Sequence, residues 1–140
     1  MNIVDVEIPP YGLIIGRDAL ILEELKWDSY LNLELRTNAS TSSFSSKINI
    51  GQDEINLILS FKEVYMFRVS ELEMKGLMSV DELNTYLSSC KKSIFVELIN
   101  SNIILENKQY NRDVNLRHFI LTTYDFRIEI ICQSFVIKEI

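Results

Sequence analysis

LRHFILTTYDFRIEIICQSFVIKEI, residues 116–140, is the stretch of sequence that determines the fold class. Apolar and polar side chains alternate along it, which predicts β-strands that place one face against a core. A turn is expected near residues 124–126. The alternation changes phase at residues 133–134, and we expect a β-bulge there because one extra residue absorbs the slip in register. A bulge bends its strand, so the segment predicts a hairpin in a curved antiparallel sheet.

Alternation of the same kind runs through the first half of the chain. Residues 31–35 indicate a strand, and residues 48–50 and 55–61 indicate a hairpin across a turn at Gly51. Apolar residues occupy both faces of residues 64–69, which predicts a strand in the centre of a sheet, covered on both sides. The other assignments are a first strand at residues 4–8, a strand or helix at residues 18–27 and a mobile loop at residues 38–46.

Two short helices are expected among the strands. Ser79 and Glu82 have the spacing of a capping box, which predicts a helix from Ser79 to about Cys90. A second helix is expected from Ser101 to Asn107, after a strand at residues 94–98. The prediction is an α+β fold in one domain of residues 1–140. Its sheet is strongly curved and mostly antiparallel, with one or two short helices packed on it.

Composition narrows the function classes. The 140 residues carry a formal net charge of −6 and 47% of them are hydrophobic, so the chain can bury a core. Nucleic-acid binding is not expected, because phosphate recognition needs clustered positive charge. No apolar run is long enough to span a membrane, and Asp5 and Glu7 stand where a secretory signal would be positively charged. We therefore expect a cytoplasmic protein that does not bind membranes.

Residue types suited to catalysis or metal binding are few. His118 is the only histidine, and the sequence has no Gly-x-Ser-x-Gly elbow, so we expect a strand histidine that hydrogen-bonds a neighbour. Cys90 and Cys132 are interpreted as two buried reduced thiols, with a single disulfide as the alternative. One His and two Cys are too few for a zinc site. The sequence predicts no enzyme and no metal or cofactor.

Acidic residues are concentrated in KEVYMFRVSELEMKGLMSVDEL, residues 62–83. We expect them near one edge of the sheet, where negative charge would steer a basic partner. Trp27, Tyr65 and Tyr86 are aromatic residues of the kind that anchor interfaces, and core packing is the alternative for them. The predicted partner-binding residues are Glu63, Tyr65, Glu71, Glu73, Asp81 and Glu82.

FVELINSNIILEN (residues 95–107) and RHFILTTYDFRIEIICQSF (residues 117–135) resemble the immunity proteins of bacterial polymorphic toxin systems. Those proteins have a strand leading into a helical turn that begins with Ser, then a strand that opens with His. An Asp at a hairpin and an acidic residue in the last strand follow. The matching residues here are Ser101, His118, Asp125 and Glu129, whereas Asn102 replaces the more typical aromatic residue. The resemblance implies that His118 bonds across strands and that Asp125 caps the turn.

The resemblance also implies a function without catalysis. The expected protein binds one cognate toxin stoichiometrically and neutralises it by occlusion, with acidic side chains facing a basic, nuclease-like cleft. Two alternatives stay open. One is a homo-oligomeric scaffolding protein, such as a homodimer built through sheet edges or an aromatic face. The other is a module that binds a small molecule inside the curved sheet.

Overall fold

A computed structural model describes residues 1–46, 51–72, 74–89, 91–109 and 114–140. The predicted α+β class with mostly antiparallel strands is confirmed. In chain order the described elements are β1 (Asn2–Asp5), β2 (Leu20–Trp27), β3 (Leu33–Ser40), β4 (Glu54–Lys62), β5 (Met66–Glu71), α1 (Val80–Ser88), β6 (Phe95–Ile99), α2 (Asn102–Lys108), β7 (Arg117–Thr122), β8 (Phe126–Cys132) and β9 (Ser134–Glu139).

The strands form two sheets that pack face to face. One sheet has the order β1-β6-β7-β8-β5 and the other β2-β3-β4-β9, and all pairs are antiparallel. Alternate residues of most strands point into the shared core, which buries apolar side chains and a group of contacting phenylalanine rings. Those rings belong to Phe61, Phe95, Phe119 and Phe135. Burial of this apolar area is the main favourable term for folding.

A helical layer covers the outer face of the five-stranded sheet. Met78 and Tyr86, from α1 and the segment before it, pack on Val96 and Ile120 of the sheet. The predicted capping box is confirmed, because the Ser79 hydroxyl accepts the Glu82 N–H at 3.2 Å and the Glu82 carboxylate accepts the Ser79 N–H at 3.1 Å. Tyr86 is buried, so it is a core residue, which was the alternative given for it, and is not an exposed interface anchor.

The phase change at residues 133–134 is a crossing between sheets, where a bulge was expected. β8 pairs with β7 and β5 in one sheet, whereas β9 pairs with β4 in the other. Because the two sheets face each other, a strand that changes sheet must shift its alternation by one residue to keep pointing inward. Cys132 and Phe135 consequently reach the same core from opposite sides. The molecule is a two-sheet sandwich, not one strongly curved sheet.

The strand at residues 64–69 is the clearest correction. It was expected at the centre of a sheet, but β5 lies at the edge of the five-stranded sheet. Val64 is buried in the turn before the strand, whereas Met66 and Val69 are exposed. Two smaller corrections concern the first half of the chain. Leu31 lies outside β3, and residues 38–40 belong to that strand and not to a loop. The predicted strand at residues 48–50 lies outside the described residues.

Candidate protein-binding edge

β5 offers an open edge of the five-stranded sheet. The strand pairs with β8 on one side, and no other described strand pairs with its outer side. Met66, Arg68 and Val69 are exposed along it. An edge strand of this kind presents backbone N–H and C=O groups to a partner chain. Arg68 is a charge of the type that discourages uncontrolled edge-to-edge pairing.

Aromatic side chains gather at the end where β5 begins. The Trp27 ring lies 5.1 Å from the Phe67 ring, measured between centroids, so the last residue of β2 contacts β5. Tyr30 is 81% exposed in the loop that follows. The Asp28 carboxylate holds this loop by accepting the N–H groups of Tyr30 and Asn32, each at 2.9 Å. The hydrogen bond from Asn32 is the main reason that the pKa of Asp28 is lowered.

Glu63 and Tyr65, two of the predicted binding residues, belong to this same aromatic end. The Val64 N–H between them donates to the Leu31 carbonyl at 2.8 Å, which joins their turn to the loop that carries Tyr30. Tyr65 is 43% exposed, and its hydroxyl accepts the Gln133 side-chain N–H at 3.0 Å. Glu63 is exposed and has a left-handed φ of 52°. The turn therefore holds an acid and a tyrosine side by side at the surface.

Glu71 lies at the other end of β5. It pairs across the sheet with Phe126, which is 37% exposed. Glu71 and Phe126 share an open depression of about 440 Å³ with Arg17, Leu72, Tyr124 and Asp125. At roughly 3.3 Å per residue, the six residues of β5 place its last residue about 17 Å from its first, at the aromatic end. Acidic and aromatic side chains thus stand at both ends of one open strand, which we call the β5 edge.

The other described residues of the predicted binding set, Asp81 and Glu82, lie in α1 and not on the β5 edge. Asp81 is exposed in the first turn of α1. Glu82 is only 7% exposed, since one carboxylate oxygen accepts the Ser79 N–H and the other accepts the Asn102 N–H at 3.0 Å. It is a structural acid that links α1 to α2 and cannot serve as an exposed binding residue. Glu73 lies outside the described residues.

A buried polar chain runs beneath the helices. The Ser101 hydroxyl and His118 Nδ1 are 2.9 Å apart, and His118 Nε2 lies 3.4 Å from the Glu129 carboxylate. The other Glu129 oxygen accepts the Leu77 N–H at 2.6 Å. Serine, histidine and glutamate in line resemble a nucleophilic device, but all three side chains are fully buried. In this structure the hydrogen bond of Ser101 with His118 fastens α2 to the sheet, and that of Glu129 with Leu77 fastens the segment before α1.

These contacts refine the expectations for the C-terminal hairpin. His118 does hydrogen-bond a neighbour, as expected, although its partner is the first residue of the α2 turn. The hydrogen bonds that close the turn after β7 are made by Thr123 with Phe126, where Asp125 was expected to cap. Cys132 is a buried, free cysteine, and Cys90 lies outside the described residues.

The sequence-based selection missed Tyr30, Tyr124 and Phe126. Each lies near a turn, and clusters of aromatic residues at turns are a signal that could have identified them. Among the described residues, no group of three or more His, Cys, Asp or Glu side chains is arranged to hold a metal ion. None of the described helices is long and apolar enough to cross a membrane.

Comparison with known proteins returns no family model, no curated protein and no solved structure that matches the chain. Functional inference therefore rests on the residues and their geometry.

Proposed function

We propose that the chain is an immunity-type protein, which binds a cognate bacterial toxin in the cytoplasm and neutralises it by covering its active site. The binding is stoichiometric, and the chain catalyses no reaction. The observation that carries the proposal is the β5 edge, where exposed acids and aromatic residues flank an open strand. Trp and Tyr are enriched among the few residues that supply most of the binding energy at protein interfaces, and charged groups at the rim help to select the partner.

Charge identifies the kind of toxin surface that fits. The chain has a formal net charge of −6, and Glu63 and Glu71 stand at the two ends of the β5 edge. A basic cleft, such as that of a nuclease, would be attracted at long range and oriented by both ends at once. The resemblance of residues 95–107 and 117–135 to immunity proteins supports the same class of partner.

The test begins with capture of a partner from a lysate of the source organism, at low and at moderate salt. A captured protein is then expressed in a bacterial host with and without this chain. We expect a basic protein that arrests growth when alone and loses that effect when the chain is present. Capture of a protein that is not toxic, or toxicity that the chain does not relieve, would contradict the proposal.

Variants assign the binding to the β5 edge. The double substitution E63K/E71K should slow association with the captured toxin roughly tenfold or more at low salt, since it reverses both charges. Tyr30→Ala should speed dissociation. The matched control is E54K/E106K, which makes the same charge change at exposed positions on β4 and α2. Equal effects from the two charge-reversal variants would remove the β5 edge from the mechanism and leave only net charge.

The same edge could serve a second copy of the chain, which corresponds to the homo-oligomeric alternative. Two β5 strands would then pair and extend the sheet across a twofold axis. Sedimentation over a range of protein concentrations separates the cases. A monomer at all concentrations supports a partner of another kind, whereas a dimer that E63K/E71K disrupts would favour self-association.

A further inference from the structure

A positively charged cavity lies where α1 and the segment after it meet the loop before β2 and the adjoining ends of β7 and β8. Its volume is about 350 Å³, and four of its described lining residues are cationic, namely Arg17, Lys91, Lys92 and Arg127. None of its described lining residues is acidic. The chain as a whole has a net charge of −6, so this cavity differs in sign from the rest of the molecule.

Arg127 is the most buried of the four cations that line the cavity. It is only 2% exposed, although arginine stays protonated in proteins and is costly to bury. One guanidinium nitrogen donates to the Leu72 carbonyl at 3.0 Å. The other two side-chain nitrogens are buried without a hydrogen-bond partner, and no carboxylate lies within ion-pair distance among the described residues. The described residues therefore leave this buried charge without a counter-ion.

Lys91 adds a second partly desolvated cation to the same cavity. Its ammonium group donates to the Tyr86 carbonyl at 2.9 Å and lies 3.8 Å from the centre of the Tyr86 ring. Burial lowers the pKa of Lys91, the charge of Asp5 opposes that change, and the charge of Arg127 adds to it. Lys91 and Arg127 thus repel each other, and a bound anion would relieve that repulsion.

Two nearby acids, Asp5 and Glu129, make other contacts, and two more, Glu71 and Asp125, line the adjoining depression. The Asp5 carboxylate accepts the backbone N–H groups of Lys92 and Ser93, so it holds the lysine segment in place. Glu129, on the same face of β8 as Arg127, accepts the Leu77 N–H. Neither belongs to the described lining of the cavity.

We propose that this cavity binds a small organic anion, with a carboxylate or phosphate group near Arg127 and Lys91 and an apolar body against Tyr86 and Leu87. The volume lies in the range of small-molecule sites, and the walls combine apolar side chains with a few convergent polar groups. Oxyanions are the ligands for which guanidinium and ammonium groups are suited. Arg17 and Leu72 line both this cavity and the depression at the Glu71 end of the β5 edge. Arg127 and Lys91 line only the cavity, so substitutions of these two residues test this proposal separately from the β5 edge.

The experiment measures the binding of four probes by calorimetry and by the shift in melting temperature, at constant ionic strength in chloride. The probes are phenyl phosphate, benzoate, inorganic phosphate and neutral phenol. We expect phenyl phosphate or benzoate to bind and to raise the melting temperature, and phenol to do neither. Binding of phenol as tight as that of its phosphate ester would overturn the proposal, and so would the failure of both aromatic anions to bind.

Variants tie the binding to the cavity. R127Q should weaken binding of the aromatic anion roughly tenfold or more, because it removes the buried charge. Lys91→Gln is the second variant, in case R127Q does not fold, and should weaken binding by about the same factor. The matched control is Arg36→Gln, on the solvent face of β3, where the guanidinium pairs with Glu24 and Glu34. Equal affinity in Lys91→Gln and Arg36→Gln would overturn the proposal.

Inorganic phosphate decides the class of ligand. If it binds as tightly as phenyl phosphate, the apolar wall contributes nothing and the proposal of an organic anion is wrong. If it binds at least tenfold more weakly, the contribution of Tyr86 and Leu87 is supported.

Discussion

The two faces of the five-stranded sheet use the same strands in opposite ways. Along β8, Ile128 and Ile130 point into the core between the sheets, and Arg127 and Glu129 point outward beneath the helical layer. All four side chains are buried. The inner face is held by apolar packing, whereas the outer face combines an apolar cluster with buried polar side chains, some of whose atoms have no hydrogen-bond partner among the described residues. Apolar packing on the inner face and polar contacts on the outer face therefore contribute separately to the free energy of unfolding, and substitutions can measure each contribution.

Truncation of the inner face should give the largest loss of stability. Phe119 is fully buried, and its ring contacts those of Phe61, Phe95 and Phe135. Phe119→Ala should lower the free energy of unfolding by about 3–5 kcal/mol, through lost burial and the cavity that remains. Chemical denaturation measures the change. Phe126→Ala is the matched control, since that ring is 37% exposed, and should cost no more than about 1 kcal/mol. Similar losses would contradict the division between core and edge.

A single methyl group added at Gly76 should disrupt a polar contact of the outer face and lower the stability of the fold. Gly76 has a φ of +69°, and a Cβ atom there would collide with the Glu129 carboxylate. Gly76→Ala should lower the free energy of unfolding by about 3 kcal/mol, from backbone strain and a displaced charged hydrogen bond.

Gly51 provides a close control for that substitution. It has the same φ of +69°, but a Cβ atom there would meet no atom of the described residues within 4 Å. Gly51→Ala should therefore cost only the backbone strain, about 1 kcal/mol. The difference between the two variants measures the contact with Glu129. If both variants lose the same amount, the buried carboxylate does not constrain the segment before α1.

Two adjacent acids test the helical layer at smaller scale. Glu82 accepts N–H groups from Ser79 and Asn102, whereas Asp81 is exposed. Glu82→Ala should cost about 1–3 kcal/mol in unfolding free energy, because it leaves two backbone donors without their partner. Asp81→Ala should change the same quantity by less than about 1 kcal/mol, through the helix dipole alone. Thermal denaturation of both variants checks the ranking, and an equal cost would contradict the structural role of Glu82.

Local signals in the sequence predicted the parts of this fold that depend on neighbouring residues. The capping box at Ser79 placed α1, and alternation placed β3, β4 and β6 to β9 to within a few residues. The place of β5 in the strand order of its sheet could not be predicted, because the strands that pair with it are distant in the sequence. Val64 appeared to give the strand a second buried face, yet it is buried in a turn. The edge is visible only when both sheets are assembled.

The candidate sites show the same division. Glu63, Tyr65 and Glu71 are exposed along the β5 edge, since they belong to one short segment of the chain, and their role in binding stays a prediction. Glu82 was placed with them although its capping spacing already indicated a structural role. The cationic cavity had no sequence signal, since Arg17, Lys91 and Arg127 come from three distant segments. Only the packing of α1 against the sheet brings them together.

The Cys132 thiol reports on how closed the inner face is to solvent. Burial raises the pKa of this thiol to about 12, from an ordinary value near 9, and the charge of Arg117 offsets the change only in part. Because the folded pKa is the higher one, the contribution to stability is complete below pH 9 and is lost as the pH rises from 9 to 12. At pH 9 the folded protein should contain roughly five-hundredfold less thiolate than the unfolded chain. Alkylation by iodoacetamide in a Cys90→Ser background measures this, with the same variant in urea as the control. A folded protein that is alkylated with a midpoint near pH 9 would show that solvent reaches the core between the sheets, and the contrast between the two faces would then rest on the polar outer face alone.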